Sequence, residues 1–358
     1  MLADSYDVVI GVDTHRDTHA LAAVRSFDGA VLGICSIAAD PAGYRAALGF
    51  AAEHAAERRA WALEGTGSYG AGLARALAGA GERVLEIDRP TRGGERSSGK
   101  SDELDAIRAA RSALGQKRHA TPRAGETHDA LRALLSTREA AVHARSQAVN
   151  QLRALVATAP EAIRERLRGQ TTPQLLQRAR RLRRSPQAPL DQQSLILAVQ
   201  LTARRVAALL DEAATLERAI SAIVGEAAPQ LVAERGVGPI SAAQLLVSWS
   251  HPGRIHSEAA FAQLAGAAPI PASSGLKTRH RLNRGGDRQL NRALHTIILS
   301  RLKHDPRTTS YAARATLQGK TRRDTIRSLK RYLARHLYRL LEHPQTTIPD
   351  TITIGPCS

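Results

Sequence analysis

Four carboxylates in the first third of the chain have the residue types and spacing for metal-dependent cutting of a polynucleotide. Asp13 lies in VVIGVDTH, Glu64 in WALEGTGSYG, and Asp102 and Asp105 in GKSDELDAIRAAR. The first two fall at the ends of predicted strands. The last two sit three apart at the start of a predicted helix, which projects both from nearly one face. Carboxylates converging from two strand ends and one helix repel one another unless a divalent cation neutralises them. Two Mg²⁺ ions roughly 4 Å apart are the usual solution in polynucleotide cutting, with Mn²⁺ as a substitute.

A second constellation lies in LAGAAPIPASSGLKTRHRLNRGGDRQLNRAL (264–294), where Ser273, Ser274, Lys277, Thr278, Arg279, His280, Arg281 and Arg284 crowd together. The segment between Pro269 and Leu290 is too polar and too rich in Gly and Ser for a core element. A serine on a Gly-flanked turn among cations suits a phosphotransfer nucleophile, because the cations stabilise charge developing on phosphate. An ordinary polar linker has the same composition, so these residues alone leave both readings open. Two further segments offer phosphate contacts. The loop TRGGERSSGKS (91–101), with Lys100, precedes the second carboxylate pair and reads either as a phosphate-binding loop or as a solvated linker. The GVGP turn in LVAERGVGPISAAQLL (231–246) resembles a helix-hairpin-helix, in which Gly236 and Gly238 bring backbone N–H groups near phosphate. A plain tight turn between helices is the competing reading.

These residues need elements to position them. Residues 7–13, 19–26 and 30–38 read as three short strands. Helices follow at 41–56, 68–81 and 102–114, with strands at 59–65 and 83–88 between them. The order βββαβαβα matches a ribonuclease-H-like α/β fold, a mixed sheet with helices on its faces. From about 126 the pattern becomes helical. Leu131, Leu135, Val142, Val149, Leu152 and Val156 recur at spacings of three, four or seven, and so do Leu195, Val199, Val206, Leu209, Leu216, Ile220 and Ile223. Two long helices are expected to form an antiparallel coiled-coil arm with a small basic tip. The expected organisation is therefore 1–125 as the metal domain, 126–225 as the arm and self-association surface, 226–345 as a mostly helical C-terminal domain, and 346–358 as a tail.

Composition narrows the class of partner. The 358 residues carry a formal net charge of +18 and a sequence pI of about 11.0. Arg dominates over Lys, and its guanidinium suits bidentate phosphate contact. A high-GC codon bias accounts for part of that choice but not for the excess of bases over acids. Nucleic acid is the default partner for such a charge. Cys35 and Cys357 form no zinc-ligand spacing. No secretory leader and no apolar run of about 18 residues is seen, so no membrane partner is expected and a cytoplasmic, nucleoid-associated location is. No GxxxxGK[ST] motif for nucleotide hydrolysis occurs.

Taken in order, VVIGVDTHRDTHALA, WALEGTGSYGAGLARAL, KSDELDAIRAAR and GVGPISAAQLL…FAQLAGAAPIPASSGLKTRHRLNRGGDRQLNRAL resemble the DEDD-type transposases of the insertion-sequence 110 family, which includes the Piv invertases. The resemblance covers roughly 1–115 and 230–300. It implies a RuvC-like N-terminal domain (the ribonuclease H fold), a coiled coil, and a transposase domain with a catalytic serine directly before glycine. Carried over, the acids fall on Asp13, Glu64, Asp102 and Asp105 as the Mg²⁺ ligands. The serine falls on Ser274, next to Gly275, with Ser273 as the fallback. The resemblance also implies a recombinase guided by a bridge RNA, acting on donor and target DNA as a dimer or tetramer. Two alternatives remain: a RuvC-like nuclease that hydrolyses with water, and a non-catalytic RNA- or DNA-binding protein. The basic stretches 176–184 and 321–339 suit backbone contact under all three.

Overall fold

The computed structural model describes residues 2–55, 57–87, 101–117, 119–271, 280, 281, 283 and 285–344. The chain divides into two compact units, 1–125 and 126–358.

The first unit opens with a short helix, α1 (Leu2–Ser5), and three strands, β1 (Val8–Thr14), β2 (Thr18–Arg25) and β3 (Val31–Ala38). Helix α2 (Pro41–His54), strand β4 (Arg59–Glu64), helix α3 (Ala71–Gly79), strand β5 (Val84–Ile87) and helix α4 (Asp102–Gly115) follow. After α1 the order is the expected βββαβαβα. The sheet runs β3-β2-β1-β4-β5, antiparallel among the first three strands and parallel from β1 through β4 to β5. Alternation along the strands builds two cores. Val8, Ile10, Val12, Leu21, Trp61 and Leu63 pack with Leu73, Leu77, Ala47 and Ala51 on the α2–α3 face. Val9, Ala20, Ala22, Ala60, Ala62 and Leu85 pack with Ala106, Ala110 and Ala113 of α4 on the other. Asp40 starts α2 by accepting from the Gly43 N–H at 2.8 Å, with Pro41 at the first helical position. A partly buried pair braces the strand starts: Arg59 meets Glu82, and the Trp61 indole N–H donates to the same carboxylate at 2.8 Å. Burial alone would push the Glu82 carboxyl up, but the contacts with Arg59 and Trp61 outweigh it and hold its pKa low.

The second unit is almost wholly helical. Helices α5 (Glu126–Ala157) and α8 (Leu190–Ala227) are joined by α6 (Glu161–Leu167) and α7 (Thr172–Arg180). Leu152 and Val156 share a core with Ile196, Val199 and Val206, while Leu131 packs with Ile220 and Val224. The two long helices therefore run antiparallel. The buried stripe of α5 passes through Ala141 and Ala148. Val142, expected in that stripe, is only half-buried. Small side chains at these points let the backbones approach. Helix α8 is long and apolar enough by length and composition alone to cross a membrane. Its apolar stripe is instead packed against α5 and the rest of this unit.

Helices α9 (Pro229–Ala233), α10 (Pro239–Trp249) and α11 (Glu258–Leu264) lead to a two-stranded hairpin of β6 (Ile270–Pro271) and β7 (His280–Arg281). Helices α12 (Arg288–His304), α13 (Pro306–Leu317) and α14 (Arg322–Glu342) complete the unit. Leu131, Ile220 and Val224 belong to the same core as Trp249, Phe261, Leu294, Ile297 and Leu337, so the base of the long helix pair and the C-terminal helices fold as one body. A polar cluster crosses this core. The Arg301 guanidinium donates to the Arg235 carbonyl at 2.7 Å and to Glu234 at 2.8 Å, and His336 stands 2.9 Å from the same carboxylate.

Candidate metal centre and nucleic-acid interface

β1 and β4 pair in parallel up to Val12↔Leu63, and Asp13 and Glu64 are the next residue on each strand. Both follow the alternation of Val9–Gly11 and Ala60–Ala62, which faces α4. The approach of α4 to β1 is unusually close at Gly11, where an added Cβ would lie 2.0 Å from the Ala106 carbonyl oxygen and 2.7 Å from the Ala110 nitrogen. Only glycine permits that contact. It brings the first turn of α4, with Asp102, Glu103 and Asp105, to the C-terminal end of β1. Carboxylates are favoured there by the helix dipole. A second tie joins the strand ends, since the Thr14 hydroxyl donates to the Glu64 carbonyl oxygen at 3.0 Å.

The structure brings Asp13 and Asp102 together and adds a residue without a sequence-derived role, His15. Its Nε2 lies 3.1 Å from Asp13 Oδ2 and 3.3 Å from Asp102 Oδ1. One donor atom from each of the three residues lies within 4.8 Å of the others. The Asp13 side chain is 15% exposed, whereas those of Asp102 and His15 are 54% and 47% exposed, so the cluster opens to solvent. Two carboxylates and an imidazole are a chemically reasonable donor set for a divalent cation, and the proximity of two anions calls for positive charge between them. Glu64 and Asp105 stand outside this three-residue cluster. Asp105 instead accepts from Arg108 at 2.7 Å, one turn along α4. The signal for His15 was the spacing Asp-x-His at a strand end, which continues the alternation of β1 onto the same side. Asp17, in the β1–β2 hairpin, pairs with Arg16 at 2.7 Å, in keeping with a turn residue. His19 stays apart from the cluster. It is fully buried and stacked on Tyr44 at 6.1 Å, and burial is the main reason its pKa is lowered.

Lys100, Ser273, Ser274, Lys277, Arg279 and Arg284 lie outside the described residues, as does the side chain of Arg281. The segment that carries both serines connects β6 to β7, whose pairing (Ile270↔Arg281 and Pro271↔His280) closes its ends. The residues after it have clear packing roles. Gly286 has φ +95°, and a Cβ there would lie 2.4 Å from the Leu264 carbonyl oxygen. Asp287 caps α12 by accepting from Gln289 and Leu290, and receives the Ser248 hydroxyl at 2.6 Å. Asn291 donates to the Ala265 carbonyl and accepts from Lys330. The NRGGDRQLN stretch thus fastens the base of the hairpin to α10, α11 and α14.

In the GVGP turn, Gly236 adopts φ +80°, and a Cβ there would lie 3.1 Å from Arg301 Cγ and 3.2 Å from the Ile297 carbonyl oxygen of α12. Gly238 is exposed and begins α10 without a side-chain cap. Around the tip, Leu175, Leu176, Ala179 and Leu182 are buried while Arg180, Arg181, Arg183 and Arg184 face solvent. The basic helix α14 divides its cations differently. Arg335 and Arg339 hold Glu258 of α11 at 2.8 and 3.2 Å, and Arg322 and Arg323 remain exposed.

Comparison with known proteins places both ends of the chain in one family. Residues 10–159, which include Asp13, Glu64, Asp102 and Asp105, match a DEDD-type profile of IS110 elements described as transposase. Residues 230–313, which include Ser274, match the profile described as Transposase IS116/IS110/IS902 family. The chain is also 32% identical over 152 residues to the insertion element IS110 uncharacterized 43.6 kDa protein of Streptomyces coelicolor, a stretch covering 41% of this chain and 37% of that relative. With the two profiles matched in chain order over separate segments, the chain belongs to the IS110 family of transposases.

Proposed function

We propose that the chain is a DNA recombinase of an insertion sequence, cutting and rejoining DNA through a covalent phosphoserine on Ser274. The observation that carries this reading is the convergence of Asp13 and Asp102 from a strand end and a helix start, within the segment that matches DEDD transposases. The sheet order β3-β2-β1-β4-β5 supports a ribonuclease-H-like, RuvC-type domain around that site. Asp13, Glu64, Asp102 and Asp105 would hold Mg²⁺, or Mn²⁺, which when bound supplies Lewis-acid stabilisation of the phosphate oxygens. Ser274 Oγ gives up its proton and bonds to phosphorus. The bond from phosphorus to the 3′ oxygen breaks, and that oxygen leaves as a 3′-hydroxyl. In the second half, a 3′-hydroxyl of the other DNA attacks the phosphoserine ester and returns the Ser274 hydroxyl. The ester conserves the phosphodiester bond energy, so no nucleotide cofactor is needed.

Donor and target DNA are the substrates in this reading, and a guide RNA supplies sequence recognition. Lys100, Lys277, Arg279, Arg281 and Arg284, with the backbone at Gly236 and Gly238, would contact phosphates. The antiparallel helices α5 and α8 serve as a coiled-coil arm (126–225) for self-association into a dimer or tetramer. The C-terminal domain (226–345) delivers the serine. The supporting physical facts are the net charge of +18 and the exposed arginines of the tip.

The test is an adduct assay with purified protein, Mg²⁺, RNA transcribed from the element's flank, and labelled donor and target DNA. An SDS-resistant protein–DNA species attached at Ser274, and lost in Asp13→Ala, is the expected result. Nicked DNA without adduct, unaffected by Ser274→Ala, would instead identify a hydrolytic nuclease. Binding that survives without any cutting would identify a non-catalytic nucleic-acid-binding protein.

A further inference from the structure

The reading of the acidic cluster as a divalent-metal centre leaves His15 without a role, and its position gives it one. We propose that His15 is itself a ligand of that centre, through Nε2, and biases it toward a cation that accepts nitrogen, Mn²⁺ over Mg²⁺. The proposal rests on the metal reading of Asp13 and Asp102 and adds a ligand outside the set of four acids.

Three observations carry it. First, Nε2 is 3.1 Å from Asp13 Oδ2 and 3.3 Å from Asp102 Oδ1, so the imidazole addresses both acids through one atom. Among the described residues, this nitrogen is the one further donor grouped with both carboxylates within 4.8 Å. Second, the backbone at this position is fixed. The His15 N–H donates to the Thr18 carbonyl at 3.0 Å, closing the β1–β2 hairpin, and Thr14 pairs with His19 directly before it. The ring is therefore presented from a hairpin closed on both sides. Third, the ring is half-exposed, which leaves the outer side of the centre open to water or a phosphate oxygen. The buried His19 stacks on Tyr44 and is absent from the cluster, so His15 is its one imidazole among the described residues.

The chemistry of the donors sets the expected selectivity. Mg²⁺ favours an all-oxygen octahedral shell and gives up water reluctantly. Mn²⁺ accepts both carboxylate and imidazole and stands low in the affinity order of first-row ions, so a nitrogen ligand raises its affinity without trapping it.

The experiment uses the full-length protein, stripped of metal by chelation. Mn²⁺ is titrated calorimetrically and Mg²⁺ by competition. Bound Mn²⁺ is then examined by electron spin-echo envelope modulation, which detects a coordinated ¹⁴N directly. Wild type is expected to show ¹⁴N modulation and to prefer Mn²⁺. His15→Ala and His15→Gln should each lose the modulation and about tenfold in Mn²⁺ affinity, with Mg²⁺ affinity nearly unchanged. Asp13→Ala should lose both ions. Wild-type Mn²⁺ binding without ¹⁴N modulation, or His15 variants with unchanged Mn²⁺ preference, would overturn the ligand assignment while leaving the metal centre intact. Asp13→Ala binding both ions as wild type does, or a wild type that binds neither, would overturn the metal centre itself.

Discussion

Glu234 and Asp13 show two fates of a carboxylate in one chain. The Glu234 carboxylate lies among Arg301, at 2.8 Å, and His336, at 2.9 Å. Burial acts to raise its pKa, but the contacts with His336 and Arg301 prevail and hold it below the ordinary glutamate range. Asp13 has instead an imidazole and a second, half-exposed carboxylate as neighbours, and no ion pair with an arginine or lysine among the described residues, a donor set compatible with a divalent cation. The Glu234 cluster makes a prediction about pH. A carboxylate whose pKa is depressed in the folded state adds stability that is present above its unfolded pKa and is lost as pH falls through the folded value. Glu234→Gln leaves the buried Arg301 its bond to the Arg235 carbonyl but removes the carboxylate that neutralises it, and should cost about 3 kcal/mol at pH 7. The gap from wild type should shrink as pH falls below the ordinary glutamate range, because wild type loses the same contribution there. Urea unfolding followed by circular dichroism at pH 7, 5 and 3 measures both. A gap that stays constant with pH would mean that the ionisation of Glu234 adds nothing.

At the scale of elements, the acids meet because α4 can lie on β1, and Gly11 is where that packing is decided. A Cβ at Gly11 would lie 2.0 Å from a backbone oxygen, which no rotamer change relieves. Gly11→Ala should therefore push α4 off the sheet, cost about 3 kcal/mol or more, and separate Asp102 from Asp13. The readout is a lower melting temperature together with weaker Mn²⁺ binding; unchanged metal affinity would mean that α4 is not what positions the acids. The strands and helices of this unit were legible because period-two runs such as DVVIGVD, and a helix start such as SDELDAI, follow local physics. The observed β1 (Val8–Thr14) and α4 (Asp102–Gly115) lie within a residue of the expected 7–13 and 102–114. The role of Gly11 was not legible, since a close approach depends on a helix about a hundred residues away. The cluster around His15 was hidden for the same reason: the hairpin presents the ring, but a distant helix start supplies its second carboxylate. In α5, the period pointed to Val142, whereas the stripe that packs uses Ala141 and Ala148. Helix–helix distance, which the pattern does not encode, makes that choice.

At the scale of the molecule, the excess of positive charge is distributed by packing. Arg335, Arg339 and Lys330 of α14 are tied to Glu258 and Asn291, so much of that basic helix is occupied with holding the fold. The tip of the α5–α8 pair is different. Leu176, Ala179 and Leu182 anchor it inward, and Arg180, Arg183 and Arg184 project outward. If the tip grips a nucleic-acid backbone, each arginine in contact releases about one counterion, and the dependence of log affinity on log salt should fall by about one per arginine removed. Replacing Arg180, Arg183 and Arg184 with Gln should therefore lower that slope by up to about three and weaken binding to every duplex or RNA alike, because phosphate contacts carry no sequence information. Stability should hardly change, since exposed substitutions of this kind stay within about 0.5 kcal/mol. Fluorescence anisotropy across a salt series, with two unrelated sequences, separates the possibilities. An unchanged slope would place the nucleic acid away from the tip. A loss confined to one sequence would make the tip a base-reading element rather than an electrostatic grip.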